Sequence, residues 1–167
     1  MNVLFLDIDG VLNSSNWFRV AYETRKASRK KYEDALIADY SNARWELDLS
    51  QELVNNLKRI MYKVESLNIV VSSTWRMHYS VDELKDRLSK LLIISPDRIV
   101  GKTPRLFEHR GQEIQKWLDD HVVEKFAIVD DDSDMDHLMD HLFKTKNETG
   151  LQRDIADKII EYFNGNE

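Results

Sequence analysis

Two pairs of aspartates carry the spacing that chemistry would need. Asp7 and Asp9 close the apolar run Val3–Leu6 and lead into Gly10; Asp130 and Asp131 close the run Lys125–Val129. In an extended stretch, a spacing of two puts both carboxylates on one side and turns Ile8 toward the core. Gly10 lets the chain turn sharply just beyond. Two such pairs brought together repel, since two charges 4 Å apart cost about 4 kcal/mol at an effective dielectric of 20. A hard divalent cation shared by carboxylates, water and a substrate phosphate would relieve that repulsion, and Mg2+ favours such a ligand set.

The elements that must position these acids follow from apolar patterning. Val3–Asp7, Leu67–Ser73 and Lys125–Asp130 are short apolar runs that predict buried strands, and Leu142–Lys146 predicts a short edge strand. Residues 48–64 carry Leu49, Leu53, Leu57, Ile60 and Val64 at helical spacing, with Asp48 and Ser50 as candidate caps. Ser80 and Glu83 have capping-box spacing ahead of the stripe Val81, Leu84, Leu88 and Leu91. Gly111–Val122 and Leu151–Phe163 predict two further amphipathic helices. Continuous apolar strands alternating with such helices predict an α/β fold, a doubly wound, Rossmann-like parallel sheet covered on both faces. Ligands in such folds sit beyond the carboxyl ends of the strands. Those ends carry Asp7, Ser72 with Ser73, and Asp130.

Residues 14–47 are too long for a plain connection. They predict a small helical cap inserted after the first strand, within a single domain over residues 1–167. Its segment 19–31 holds Arg19, Arg25, Lys26, Arg29, Lys30 and Lys31 against one acid, Glu23, with Trp17, Phe18, Tyr22 and Tyr32 close by. Such a run is either a solvated helix face or a binding surface for phosphates or nucleotides. The whole chain of 167 residues carries a net charge of −6, which argues against a dedicated duplex-binding protein. It has no cysteine, which excludes disulfides, thiol catalysis and thiolate-bound zinc. No uninterrupted apolar run exceeds four residues, so no membrane association is expected and a cytoplasmic location is.

Four stretches taken together carry a family resemblance. DIDGVLN at 7–13, VVSSTWR at 70–76, RGQEI at 110–114 and AIVDDDSD at 127–134 stand in the order of the four motifs of haloacid dehalogenase (HAD) phosphatases, which they resemble. The closest subgroup is the compact HAD domain associated with RNA-repair proteins; the phosphatase half of polynucleotide kinase–phosphatases is similar in its second motif. The resemblance implies that Asp7 attacks phosphorus to form an aspartyl-phosphate. Asp9 would protonate the leaving oxygen, then accept a proton from water, with its backbone carbonyl on the metal. Ser72 would bond a phosphate oxygen, with Ser73 as the alternative. Arg110 would neutralise the phosphoryl group where the family commonly has Lys, with Lys102 as the alternative. Asp130 and Asp131 would hold Mg2+ beside Asp7 and Asp9, helped by Asp134. Substrate contacts are expected from Ser73, Arg76, Lys102, Arg25 and Arg29, and Trp75 with Arg76 could equally contact substrate or anchor their loop.

Three other signals fail on their own terms. Gly101-Lys102-Thr103 lacks the first glycine of a P-loop, because position 96 is Pro96. The run from Asp130 lacks the EF-hand glycine and the final acid. His137 and His141 have zinc-helix spacing without an evident third ligand. A receiver domain would need an acceptor aspartate on a middle strand, where this chain has serines. The expected activity is a Mg2+-dependent phosphomonoesterase of a nucleotide or nucleic-acid end. A small non-nucleotide phosphometabolite is the alternative substrate, and a non-catalytic nucleic-acid-binding module the more remote reading.

Overall fold

The computed structural model describes residues 1–34, 45, 47–106 and 108–165. Among the described residues, five strands form one parallel sheet: β1 (Asn2–Leu6), β2 (Leu67–Val71), β3 (Ile99–Lys102), β4 (Lys125–Asp130) and β5 (Leu142–Lys144), in the order β3-β2-β1-β4-β5. Helices α1 (Ser15–Val20) and α2 (Tyr22–Asp34) follow β1. They are succeeded by α3 (Gln51–Lys63), α4 (Val81–Leu92), α5 (Arg110–Asp119) and α6 (Arg153–Asn164).

Strand alternation sends side chains to two separate cores. Leu4, Leu6, Ile69, Val71, Ala127 and Val129 pack with α3, α4 and α6. Val3, Phe5, Val70 and Ile128 pack with Ile114 and Trp117 of α5, where Phe5 meets Trp117 edge-on at 5.5 Å. Both sheet faces are thereby covered, as the apolar strands require. The capping box of α4 forms as its sequence predicts: Ser80 Oγ accepts from Glu83 N, and the Glu83 carboxylate accepts from Ser80 N.

Register is what builds the site. Leu6 lies opposite both Val71 and Val129. The next residues, Asp7, Ser72 and Asp130, therefore stand abreast at the strand ends. They lie two positions beyond Phe5, Val70 and Ile128 and so continue the α5 face of the sheet. The strand order turns back on either side of β1, the location where ligands bind in doubly wound folds.

Some boundaries differ from the sequence expectation. β1 and β2 end before Asp7 and Ser72, α5 begins at Arg110, and β5 stops at Lys144. β3 is an unexpected strand: four residues, of which only Ile99 and Gly101 are buried, show no apolar run. Asp48 does not cap α3; it pairs with Arg25. Residues 15–20 and 22–34 are helical as expected, while 35–44 and 46 of the predicted cap lie outside the described residues.

Candidate active site

The turn after β1 and the end of β4 bring three carboxylates together. Asp7, Asp130 and Asp131 each place an oxygen within 4.8 Å of the others. Gly10 makes this approach possible. It has a φ of 71°, and a Cβ there would overlap the Asp131 carboxylate. Asn147 Nδ2 donates to Asp131 Oδ2 at 3.1 Å, and Thr145 Oγ1 donates to the Gly10 carbonyl at 2.7 Å. The segment after β5 thus fixes both the acid and the turn it faces.

Arg110 supplies the opposing charge. Its Nη1 lies 3.8 Å from Asp7 Oδ1 and its Nε 3.8 Å from Asp130 Oδ2. It is the first residue of α5, and that helix start is held against the segment following β4. Asp134 Oδ2 accepts from Arg110 N at 3.0 Å, and the Asp134 carbonyl accepts from Gly111 N at 3.0 Å. A side chain at Gly111 would overlap the Met135 backbone, so the close approach needs glycine. The expected third and fourth motifs are thereby locked together, with Asp134 acting as a helix cap.

Burial dominates the electrostatics. Desolvation pushes the Asp7 carboxyl up to about 6, against the pull of Arg110 and of a hydrogen bond from Ser73. Desolvation, reinforced by the Asp7 charge, pushes Asp130 up to about 8. A cation bound among these acids would favour their ionised forms.

Asp9 is exposed and oriented differently. Its Oδ1 accepts from Asn13 Nδ2 at 2.8 Å and its Oδ2 from Trp75 Nε1 at 2.9 Å. Its carboxylate is not one of the three clustered acids. The two serines also separate. Ser73 bonds Asp7 and caps the turn over Thr74–Met77, whereas the buried Ser72 Oγ has no partner.

Three expected substrate contacts are engaged elsewhere. The buried Arg76 guanidinium donates to the carbonyls of Ser73 and Thr103 and pairs with Glu113 of α5. Lys102 Nζ donates to the carbonyls of Arg76 and Tyr79 at 2.9 and 2.7 Å. Arg25 pairs with Asp48, donates to the Leu47 carbonyl and lies over the Phe18 ring. Of the two candidates for the phosphoryl cation, the structure brings Arg110 and not Lys102 to Asp7. The side chain of Arg29 lies outside the described residues. His137 bonds Gln115 while His141 stacks on Phe126, so the pair does not converge.

Asn13, Glu113, Thr145 and Asn147 are the residues that sequence reasoning missed as site components, and Trp75, expected as a substrate contact or a loop anchor, instead bonds Asp9. Their partners lie far along the chain, except that Asn13 sits in the turn itself; a side-chain amide just after DIDG was the one available signal.

Polar atoms left without partners mark where a ligand fits. Ser72 Oγ, Arg110 Nη1, Asp130 Oδ2 and Asp134 Oδ1 are buried and lack hydrogen bonds. Native proteins seldom leave such groups unsatisfied. A donor pair beside clustered carboxylate oxygens suits a phosphoryl group together with a hard cation, since the available ligand atoms are all oxygen.

A Rossmann-like parallel sheet with this acid cluster at its carboxyl end defines the chain as a HAD-type phosphatase. More particularly, the family model for the HAD domain in Swiss Army Knife RNA repair proteins matches residues 3–156, and the chain belongs to that family. No curated protein and no solved structure matches the chain. Among the described residues no helix is long and apolar enough to cross a membrane.

Proposed function

We propose that this phosphatase is a Mg2+-dependent phosphomonoesterase that works through an aspartyl-phosphate on Asp7. The supporting observation is the meeting of Asp7, Asp130 and Asp131 within 4.8 Å, with Arg110 3.8 Å from two of them. Asp7, Asp130 and Asp131, with the Asp9 carbonyl, would hold Mg2+. When bound, the ion offsets the charge of the carboxylates and of the phosphoryl oxygens.

The chain's own residues supply the rest. An Asp7 oxygen attacks phosphorus, and the ester oxygen departs with a proton from Asp9. Water then attacks the phosphorus of the Asp7 phosphate, giving its proton to Asp9 and releasing inorganic phosphate with Asp7 restored. Arg110 and the unpartnered Ser72 hydroxyl hold the phosphoryl oxygens, while Ser73 keeps Asp7 aimed. Phosphoryl transfer depends chiefly on such positioning and charge stabilisation.

The substrate we infer is a nucleotide or a nucleic-acid terminal phosphate. Two observations support it: the RNA-repair association of the family, and the exposed Arg19, Lys26 and Lys30 on α1 and α2. Arg25 counts less, because it is paired with Asp48. A groove of about 220 Å3 adjoins Arg110, with Thr74, Met77, Arg105 and Glu108 in its wall. Its mixed lining can receive the part of a substrate next to the phosphate.

Phosphate release from 5′- and 3′-nucleotides, end-phosphorylated oligonucleotides and sugar phosphates, each with Mg2+ or with chelator, tests this reading. The expected result is Mg2+-dependent turnover with nucleotides or oligonucleotides preferred. A preference for sugar phosphates would overturn the substrate class, and equal rates in chelator would overturn the metal requirement.

A further inference from the structure

We infer that Trp75 and Asn13 are positioning residues that clamp the Asp9 carboxylate, and that the inserted segment reaches the chemical step through Trp75. The inference rests on the general-acid reading of Asp9 proposed above.

The geometry comes from two unrelated places in the chain. Asn13 is 1% exposed; its Oδ1 accepts from Gly10 N at 2.9 Å, which orients its amide so that Nδ2 donates to Asp9 Oδ1. Trp75 is also 1% exposed and lies 66 residues from Asp9. Its turn is capped by Ser73, the same serine that bonds Asp7. One short segment therefore addresses both aspartates of the first motif, Ser73 to Asp7 and Trp75 to Asp9.

Both donors are of a kind that cannot reverse. An indole N–H and an amide N–H only donate, and each carboxylate oxygen keeps a second lone-pair site when one is taken. The clamp fixes the plane of the carboxylate against the buried side of the turn. Asp9 is itself exposed, so the acceptor sites that the clamp leaves free are open to a leaving oxygen. A free aspartate side chain would lose that aim by rotation, and proton transfer depends on reach before acidity.

Trp75 is itself held from the insertion. The Trp45 ring meets it edge-on, with centroids 5.1 Å apart and planes at 86°, and Trp45 also contacts Tyr79 at 5.7 Å. Trp45 is 7% exposed and belongs to the segment between β1 and α3. The insertion is thus coupled to the general acid by an edge-to-face pair of indoles, in addition to any part its basic face plays in binding.

The test compares kcat/KM for glycerol 2-phosphate, whose alkoxide leaving group needs a proton, with that for 4-nitrophenyl phosphate, whose leaving group does not. This parameter reports the steps up to leaving-group departure. Trp75→Phe removes the donor. Replacement of Trp75 by β-(3-benzothienyl)alanine removes the same N–H while keeping the shape of the indole, which covers the case in which the phenylalanine variant folds poorly. Asp9→Asn serves as the reference.

Loss of one hydrogen bond to a charged group corresponds to roughly a tenfold to hundredfold effect. We expect kcat/KM for glycerol 2-phosphate to fall by about that factor in both Trp75 variants. The 4-nitrophenyl phosphate value should fall by less than about threefold, and the Ki of inorganic phosphate should be unchanged. If the benzothienyl variant keeps the wild-type ratio between the two substrates while Asp9→Asn changes it, the clamp is wrong and the role of Asp9 stands. If Asp9→Asn itself leaves the ratio unchanged, the general-acid reading falls and takes the clamp with it.

Discussion

Replacing Asp7 should make the metal-free protein more stable above about pH 6 and leave it unchanged near pH 4. Asp7 is 6% exposed and burial pushes its carboxyl from 3.8 to about 6. Between those values the native state holds a proton that the unfolded chain has released. Stability from this group is therefore full below about pH 4 and is lost as pH rises through 6. A difference of about two pH units corresponds to about 3 kcal/mol. Asp130 adds a loss of the same sign up to about pH 8, part of it caused by the Asp7 charge. Asp7→Asn removes the titration and the repulsion but also the attraction of Arg110. We expect a net gain of about 1–3 kcal/mol at pH 8 and close to none at pH 4, in chelator. With a urea m-value of about 2 kcal/mol per molar, the midpoint should rise by roughly 0.5–1.5 M at pH 8. Saturating Mg2+ should reverse the order, because only the wild type retains all three carboxylates. A variant no more stable than wild type at pH 8, or equally stabilised at both pH values, would refute the argument that buried, mutually repelling acids dominate this site.

Four further outcomes follow from the same structure. Glu113→Ala leaves the buried Arg76 charge unpaired and should cost about 3–5 kcal/mol in urea unfolding, far more than removal of the exposed Lys90–Asp86 pair. Gly10→Ala forces a side chain into Asp131 at a positive φ, so Mg2+ should no longer raise the melting temperature of the variant as it does the wild type. Asp134→Ala uncaps α5 at Arg110 and should lower stability by about 1 kcal/mol, with weaker inhibition by inorganic phosphate. Charge reversal at Lys26 and Lys30 should raise KM for an end-phosphorylated oligonucleotide and flatten its salt dependence, while kcat for 4-nitrophenyl phosphate stays unchanged.

Much of this site is readable in one dimension because its acids terminate apolar runs. β4 spans the very residues, Lys125–Asp130, that its apolar run predicts, and Asp130 stands at the end of both. Asp7 is readable for the same reason, followed by the glycine that its turn requires. β3 is not readable: in Ile99–Lys102 only two consecutive apolar residues precede a glycine and a lysine. The supporting shell is equally hidden. Nothing near Trp75 announces Asp9, and nothing near Arg76 announces Glu113, 37 residues on. Arg76 reads equally as a substrate contact or a loop anchor until Glu113 is placed beside it. Arg25 has the same history, reading as part of a basic face until Asp48 appears 23 residues away. Residue type and local period expose groups at strand ends, whereas the donors that orient them depend on which strands become neighbours.

The central claim is that Asp7 carries the phosphoryl group during turnover. The direct measurement is acid quench of the enzyme reacting with an end-phosphorylated oligonucleotide and Mg2+, followed by borohydride reduction and peptide mass spectrometry, which converts an aspartyl-phosphate to homoserine. Homoserine is expected at position 7 in the presence of substrate, and none in Asp7→Asn. Steady phosphate release with position 7 unmodified, or with the label on another aspartate, would contradict it.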